Sequence, residues 1–262
     1  MSEIFKYEAR RQVKGTLTLV VMLGLFALLV VYIYPSVQAA AGSIEEWLAT
    51  LPESFQSSFA MDSYTTIEGF LASEVYQFVW VLLVGLYIVY LAGGIVSKEV
   101  ETGRIDLLLA TPVSRPRVIV EKYLSLLVPI AALNLIMPLF VFGAVIAIGE
   151  SLSVVDLLWL HVLSVPYLLL AGAIGLFLSV VFDRADIAQR GGRAILFMLF
   201  VIDSVTVGTD VEWLGAVSPM RYYSPVDILV DSTLDIGGAM VLLAAAFALL
   251  LLSTMRFTAA DI

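Results

Sequence analysis

Nine charged side chains crowd into the 27 residues VSKEVETGRIDLLLATPVSRPRVIVEK, from Val96 to Lys122, with a long apolar run on each side. Five are basic (Lys98, Arg104, Arg115, Arg117, Lys122) and four acidic (Glu99, Glu101, Asp106, Glu121). Mixed charge at this spacing makes ion pairs. Glu99, Arg104 and Asp106 are placed for helix-spaced pairing near Lys98 and Glu101. Leu107, Leu108 and Leu109 add an apolar face before Thr111-Pro112 turns the chain. The expected element is a short amphipathic helix, a turn, and a re-entry through Arg115, Arg117 and Lys122. Two readings stay open: docking onto another protein, or a helix lying flat on anionic lipid headgroups.

Three more polar residues stand alone in apolar surroundings. Asp203 is placed to neutralise a cationic group or to pair with Arg221; alternatively it caps a helix that breaks there. Asn134 lies between Pro129 and Pro138, where its amide would line a pathway, satisfy freed carbonyls or bond a neighbouring helix. His161 is expected at a membrane interface. The sequence has no cysteine and a single histidine, which excludes disulfides, thiolate chemistry and Cys- or multi-His metal sites. There is no Gly-Lys dipeptide and hence no phosphate-binding P-loop. No catalytic constellation, metal site or cofactor is expected, and no nucleic-acid partner.

The elements that position these residues are membrane spans. Hydrophobic residues make up 61% of the 262 and charged residues only 14%, against about 45–50% and about 25% in a soluble domain. Six apolar runs fit a bilayer crossing: residues 16–34, 75–96, 123–148, 157–182, 194–208 and 236–255, the fifth being short. Of the 14 basic residues, 13 lie on one side of this arrangement and Arg221 alone on the other. The positive-inside rule makes that side, and both termini, cytoplasmic in a multi-pass plasma-membrane protein. The 19-residue first run is longer than a signal-peptide core of about 7–15 residues and is expected to be retained. The outer side is acidic, from Glu45 to Glu74 and from Asp210 to Asp235. Adaptation to external salt and simple tolerance of acids outside are both open.

Two outer connections carry their own structure. In Ser43–Ser73, Ile44, Trp47, Leu48, Leu51, Phe55 and Phe59 share a helical face, and Ser43/Glu46 and Thr50/Glu53 fit capping boxes. Two short amphipathic helices on the outer surface are expected. Residues 209–235 hold Ser218-Pro219 and Ser224-Pro225, which break helix and suggest a re-entrant helical hairpin before the last span.

The charged stretch resembles the cytoplasmic segment after the second span in permeases of the ABC-2 type export family. Glu99, Gly103, Asp106, Leu108, Leu109, Pro112, Ser114, Arg115 and Lys122 match its pattern, and Arg104 stands where threonine is usual. The basic N-terminal helix, six spans, outer insertion and Ser-Pro segment resemble the family more loosely. The resemblance implies an all-α, type V exporter-like fold in one permease domain, residues 1–262, from a prokaryote with an acidic proteome. It implies an N-terminal interfacial helix (residues 1–15), a coupling element (97–122) that includes Glu101, a second permease subunit, and a separate ATPase on the cytoplasmic face. It implies export of an amphipathic or lipid-like cargo. A stand-alone secondary transporter and an ATPase-coupled scaffold without cargo are the competing readings.

Overall fold

The computed structural model describes residues 3–48, 50–51, 63–110 and 112–259, and every regular element among them is helical. Five helices are long and apolar enough to cross a membrane: Glu3–Ala39, Ile67–Glu101, Arg115–Ala147, Val154–Val181 and Ile236–Ala259. We call them the first, second, third, fourth and last spans. The remaining long helix, Ala185–Thr206, has 22 residues and rises about 33 Å. Asp186, Arg190 and Arg193 charge its first half. Its apolar stretch is the shortest, as the sequence suggests for the fifth span.

The first span shows no break between an interfacial helix and a crossing: Glu3–Ala39 is a single helix. Gly15 is the only weak helix former at the expected boundary. The Thr16 hydroxyl satisfies itself within the helix, donating to the Gln12 carbonyl at 2.8 Å. The second span is composite. A 13-residue π-helical stretch, Ala72–Val84, joins two α-helical pieces. The Tyr167 hydroxyl fills the junction, donating to the Val81 carbonyl at 2.7 Å. A Cβ on Gly85 would come within 2.6 Å of that hydroxyl oxygen, so only glycine fits there.

The fourth span is the centre of the bundle and packs on the second, third and last spans and on Ala185–Thr206. Small residues permit the approach, as the LAGAIG run predicts. A Cβ on Gly175 would meet the Val89 carbonyl oxygen at 2.5 Å, and one on Gly192 the Val89 Cγ1 at 2.5 Å. The outward faces of the first, third and last spans expose Leu25, Tyr32, Leu135, Leu139, Met240 and Phe247. Such a surface suits lipid or an apolar partner.

The outer connections differ in part from expectation. A helix forms at Ala41–Leu48 and begins before Ser43, so Ser43 and Glu46 sit inside it and do not cap it. The second expected helix, with Glu53, Phe55 and Phe59, falls on residues 52–62, outside the described residues. Residues 209–235 contain three short helical pieces, Glu212–Val217, Pro219–Tyr222 and Pro225–Leu229. Pro219, Met220, Tyr223, Ile228 and Leu229 are buried. Tyr223 stacks on Tyr167 with ring centroids 5.6 Å apart and donates to the Leu160 carbonyl at 3.1 Å. Irregular backbone here is thus covered by the fourth span, which is what an apolar setting demands.

Candidate functional site

The charged stretch folds into short helices with a sharp bend. Ser97–Glu101 and Arg104–Leu109 are separated by Thr102 and Gly103, the latter at φ 67°, a left-handed conformation that favours glycine. The start is pinned to the fourth span. Ser179 Oγ accepts from the backbone N–H of Val96 and of Ser97, each at 2.9 Å, and donates to Ser97 Oγ at 3.2 Å. Ser114 is extended and leads into helix Arg115–Leu124, which has Pro116 in its first turn, where no N–H is needed.

The bend lets Glu99 and Arg104 meet although they are five residues apart. Arg104 Nε lies 3.0 Å from Glu99 Oε2, and Arg11 Nη1 of the first span donates to Glu99 Oε1 at 3.1 Å. Beside them Lys122 Nζ donates to Glu8 Oε1, and Arg11 also lies 3.9 Å from Glu8 Oε2. Glu8, Glu99 and Lys122 are buried. Two carboxylates therefore sit among three cations, each buried charge compensated, as burial requires. Gln12 completes the joint, its amide donating to Ser125 Oγ at 3.1 Å while that hydroxyl donates to the Lys122 carbonyl at 2.6 Å. The first, second and third spans are locked together at this point.

Other motif residues reach different neighbours. Glu101 Oε2 accepts from the backbone N–H of Ala185 at 3.1 Å, an anion at a helix N-terminus. Arg115 donates to the Phe257 carbonyl at 3.5 Å, near the end of the last span. Gly103, Asp106, Pro112 and Ser114 are exposed. The motif thus divides into a buried joint (Glu99, Lys122), two tethers (Glu101, Arg115) and an exposed tip, with Arg104 half-exposed between joint and tip. The start of the first span, the beginning of Ala185–Thr206 and the end of the last span all gather at this end of the bundle.

Asn134 belongs to a polar cluster inside the bundle. Its Oδ1 accepts from Ser164 Oγ at 2.6 Å and lies 3.3 Å from His161 Nδ1, while its Nδ2 donates to the Ile130 carbonyl at 2.9 Å. His161 Nε2 lies 3.2 Å from the Tyr76 hydroxyl. An amide oxygen only accepts, so the proton belongs on Nδ1, and Tyr76 donates to Nε2. The indole of Trp80 stands edge-on to the imidazole at 4.7 Å. His161 is therefore buried inside the bundle and fully engaged. Asp203 caps no helix with its side chain and makes no direct ion pair with Arg221, whose guanidinium binds Glu212, although the Arg221 charge still acts on it. Its Oδ1 is buried without a donor.

Glu8, Arg11 and Gln12 were not distinguishable from an ordinary basic N-terminal segment. Their spacing at i, i+3 and i+4 puts them on one helix face, the only signal available. Among the described residues no group of three or more His, Cys, Asp or Glu side chains is arranged to hold a metal ion.

A family model described as ABC-2 family transporter protein matches residues 3–262. No curated protein matches the chain.

Proposed function

The chain belongs to the ABC-2 transporter family and is a multi-pass membrane component of a transport system; from that premise we propose that it is the permease subunit of an ATP-driven exporter. It works with a separate ABC ATPase and a second permease subunit in the plasma membrane, with both termini cytoplasmic, and moves an amphipathic or lipid-like cargo outward. Ala185–Thr206 serves as the fifth of six crossings, and residues 209–235 dip into the outer leaflet.

The observation that carries this reading is the joint at Glu99. It ties the N-terminal helix, through Arg11, to the bent segment whose tip holds Asp106, Pro112 and Ser114. An ATPase pair closing against the exposed tip would push on four spans at once through Glu99, Lys122 and Arg115. Directed movement requires that the ATPase bind one arrangement of the spans more tightly than the other. The scaffold and secondary-transporter readings gain no specific support.

The test uses the permease with its ATPase in proteoliposomes. Asp106→Lys changes only the exposed tip, so the protein should fold normally and fail to stimulate ATP hydrolysis. Normal stimulation by Asp106→Lys, and by a second tip variant such as Pro112→Ala, would remove the coupling assignment.

A further inference from the structure

A cavity of about 330 Å³ opens at the far end of Ala185–Thr206 from the ion cluster. Gln77 of the second span, Asp203, and Arg221, Tyr223, Ser224 and Asp227 of the outer segment contribute to its wall. Asp203 is 9% exposed. One of its oxygens, Oδ1, is sealed against Gly215 with no hydrogen-bond donor. The cation on the wall, Arg221, is held by Glu212, and no described lysine or arginine forms an ion pair with Asp203 or Asp227. Arg221 acts on Asp203 through space and Glu212 opposes it, so Asp203, Asp227 and this pair together leave the wall net negative. Asp203 also lies in the last turn of its helix, whose C-cap is Val207. The carbonyl end of a helix carries partial negative charge, so a carboxylate there lacks the stabilisation it would have at the other end. A buried carboxylate in such a place needs a cation.

We propose that this cavity binds a primary ammonium group on the transported amphiphile, with Asp203 as its main counter-ion and Asp227 as a second. A primary ammonium offers three N–H donors, and the cation it must compete with on this wall is Arg221, which is itself held by Glu212. The Gln77 amide and Ser224 hydroxyl supply neutral oxygens, and Met220 and Tyr223 give the wall an apolar part for the carbon attached to nitrogen. The volume holds a headgroup or small aryl amine, not a whole lipid. The cargo role rests on the export reading; the binding does not.

The test is made on purified permease without ATPase, in phosphatidylcholine nanodiscs, by thermal unfolding. 2-Phenylethylammonium should raise the midpoint saturably, and its uncharged analogue 2-phenylethanol should not. Asp203→Asn should weaken binding roughly tenfold or more, the worth of a charge-assisted bond, and Asp227→Asn by less. Arg221→Gln, which removes the competing cation, should tighten it. Nanodiscs containing phosphatidylethanolamine should block the response to the amine if the natural occupant is an aminophospholipid, and leave it intact if it is a soluble amine. Either result supports an ammonium site. An amine that moves no midpoint in either lipid, or that binds Asp203→Asn as well as wild type, overturns the proposal. So does equal destabilisation by Asp203→Asn and Arg221→Gln with amine binding unchanged, since Asp203 would then serve Arg221. Binding without vesicle transport would count against export alone.

Discussion

Lys122 and Glu8 form an ion pair across 114 residues of sequence, with side chains only 1% and 3% exposed. A charge pair this dry is stable only as a pair. Removing one member strands the other, at a cost of about 3–5 kcal/mol, whereas replacing both with apolar groups is often close to neutral. The two single variants should not be equal. Arg11 lies 3.9 Å from Glu8 and can still compensate it after Lys122→Met. Glu8→Gln leaves the Lys122 ammonium with no carboxylate, so it should lose more. Thermal unfolding in detergent should rank Glu8→Gln below Lys122→Met, with the double variant Glu8→Leu/Lys122→Met recovering most of the loss. A double variant as unstable as the sum of the singles would mean the pair is not the source of the coupling.

The His161 cluster yields a graded series. Ser164→Ala removes one donor to Asn134 and should cost about 1 kcal/mol. Asn134→Leu leaves both His161 Nδ1 and Ser164 Oγ without their shared acceptor. Ser164 Oγ keeps the His161 carbonyl as acceptor at 2.9 Å, so the variant strands one buried donor, His161 Nδ1, at about 1–3 kcal/mol. Because the amide bonds helix to helix, transport per folded molecule should change little in either variant. A large loss of transport at full stability would return Asn134 to the pathway.

The helix crossings around Val89 test the packing independently of any charge. Gly175→Ala places a methyl 2.5 Å from the Val89 carbonyl oxygen and 2.8 Å from the Ala92 Cβ, with backbone on one side and no flexible side chain to yield. The second and fourth spans must separate to admit it. Gly143→Ala meets nothing within 4 Å and gains helix propensity, about 1 kcal/mol for an exposed interior site. Fluorescence-detected size exclusion should show Gly175→Ala largely aggregated and Gly143→Ala at or above the wild-type midpoint. Equal monodispersity of the two would contradict this close crossing.

The same residues show what local pattern reveals and what it does not. The charged stretch, its bend at Gly103 and the small-residue crossing at LAGAIG are local properties, set by glycine geometry, charge spacing and side-chain size. They were legible. Which residues would answer them was not. Glu8 and Arg11 look like any mixed-charge N-terminal helix until Glu99 and Lys122 fold onto them. The partner of His161, Tyr76, is 85 residues away, and only tertiary contact shows that the imidazole is buried among polar partners. The π-helical stretch had no local signature either, since what fills its junction is Tyr167, from another span. Asp203 stood out as an ionisable group in an apolar run. Its lack of a donor needed the fold around Gly215.

Arg104 stands where the resemblance to ABC-2 permeases implies threonine. Its guanidinium binds Glu99, but the pair is lopsided: Arg104 is 44% exposed and Glu99 only 7%. An exposed partner contributes about 0–1 kcal/mol, and Arg11 holds the other oxygen of Glu99. Arg104→Thr should therefore be tolerated, with wild-type folding and near-wild-type stimulation of the ATPase. Arg11→Gln removes the contact that joins the first span to the motif, and should cut stimulation far more than Arg104→Thr does. Measuring ATPase stimulation for both, normalised to permease bound, decides the point. If Arg104→Thr were the more damaging, the force would pass through the tip helix itself, and the joint with the N-terminal helix would be only structural.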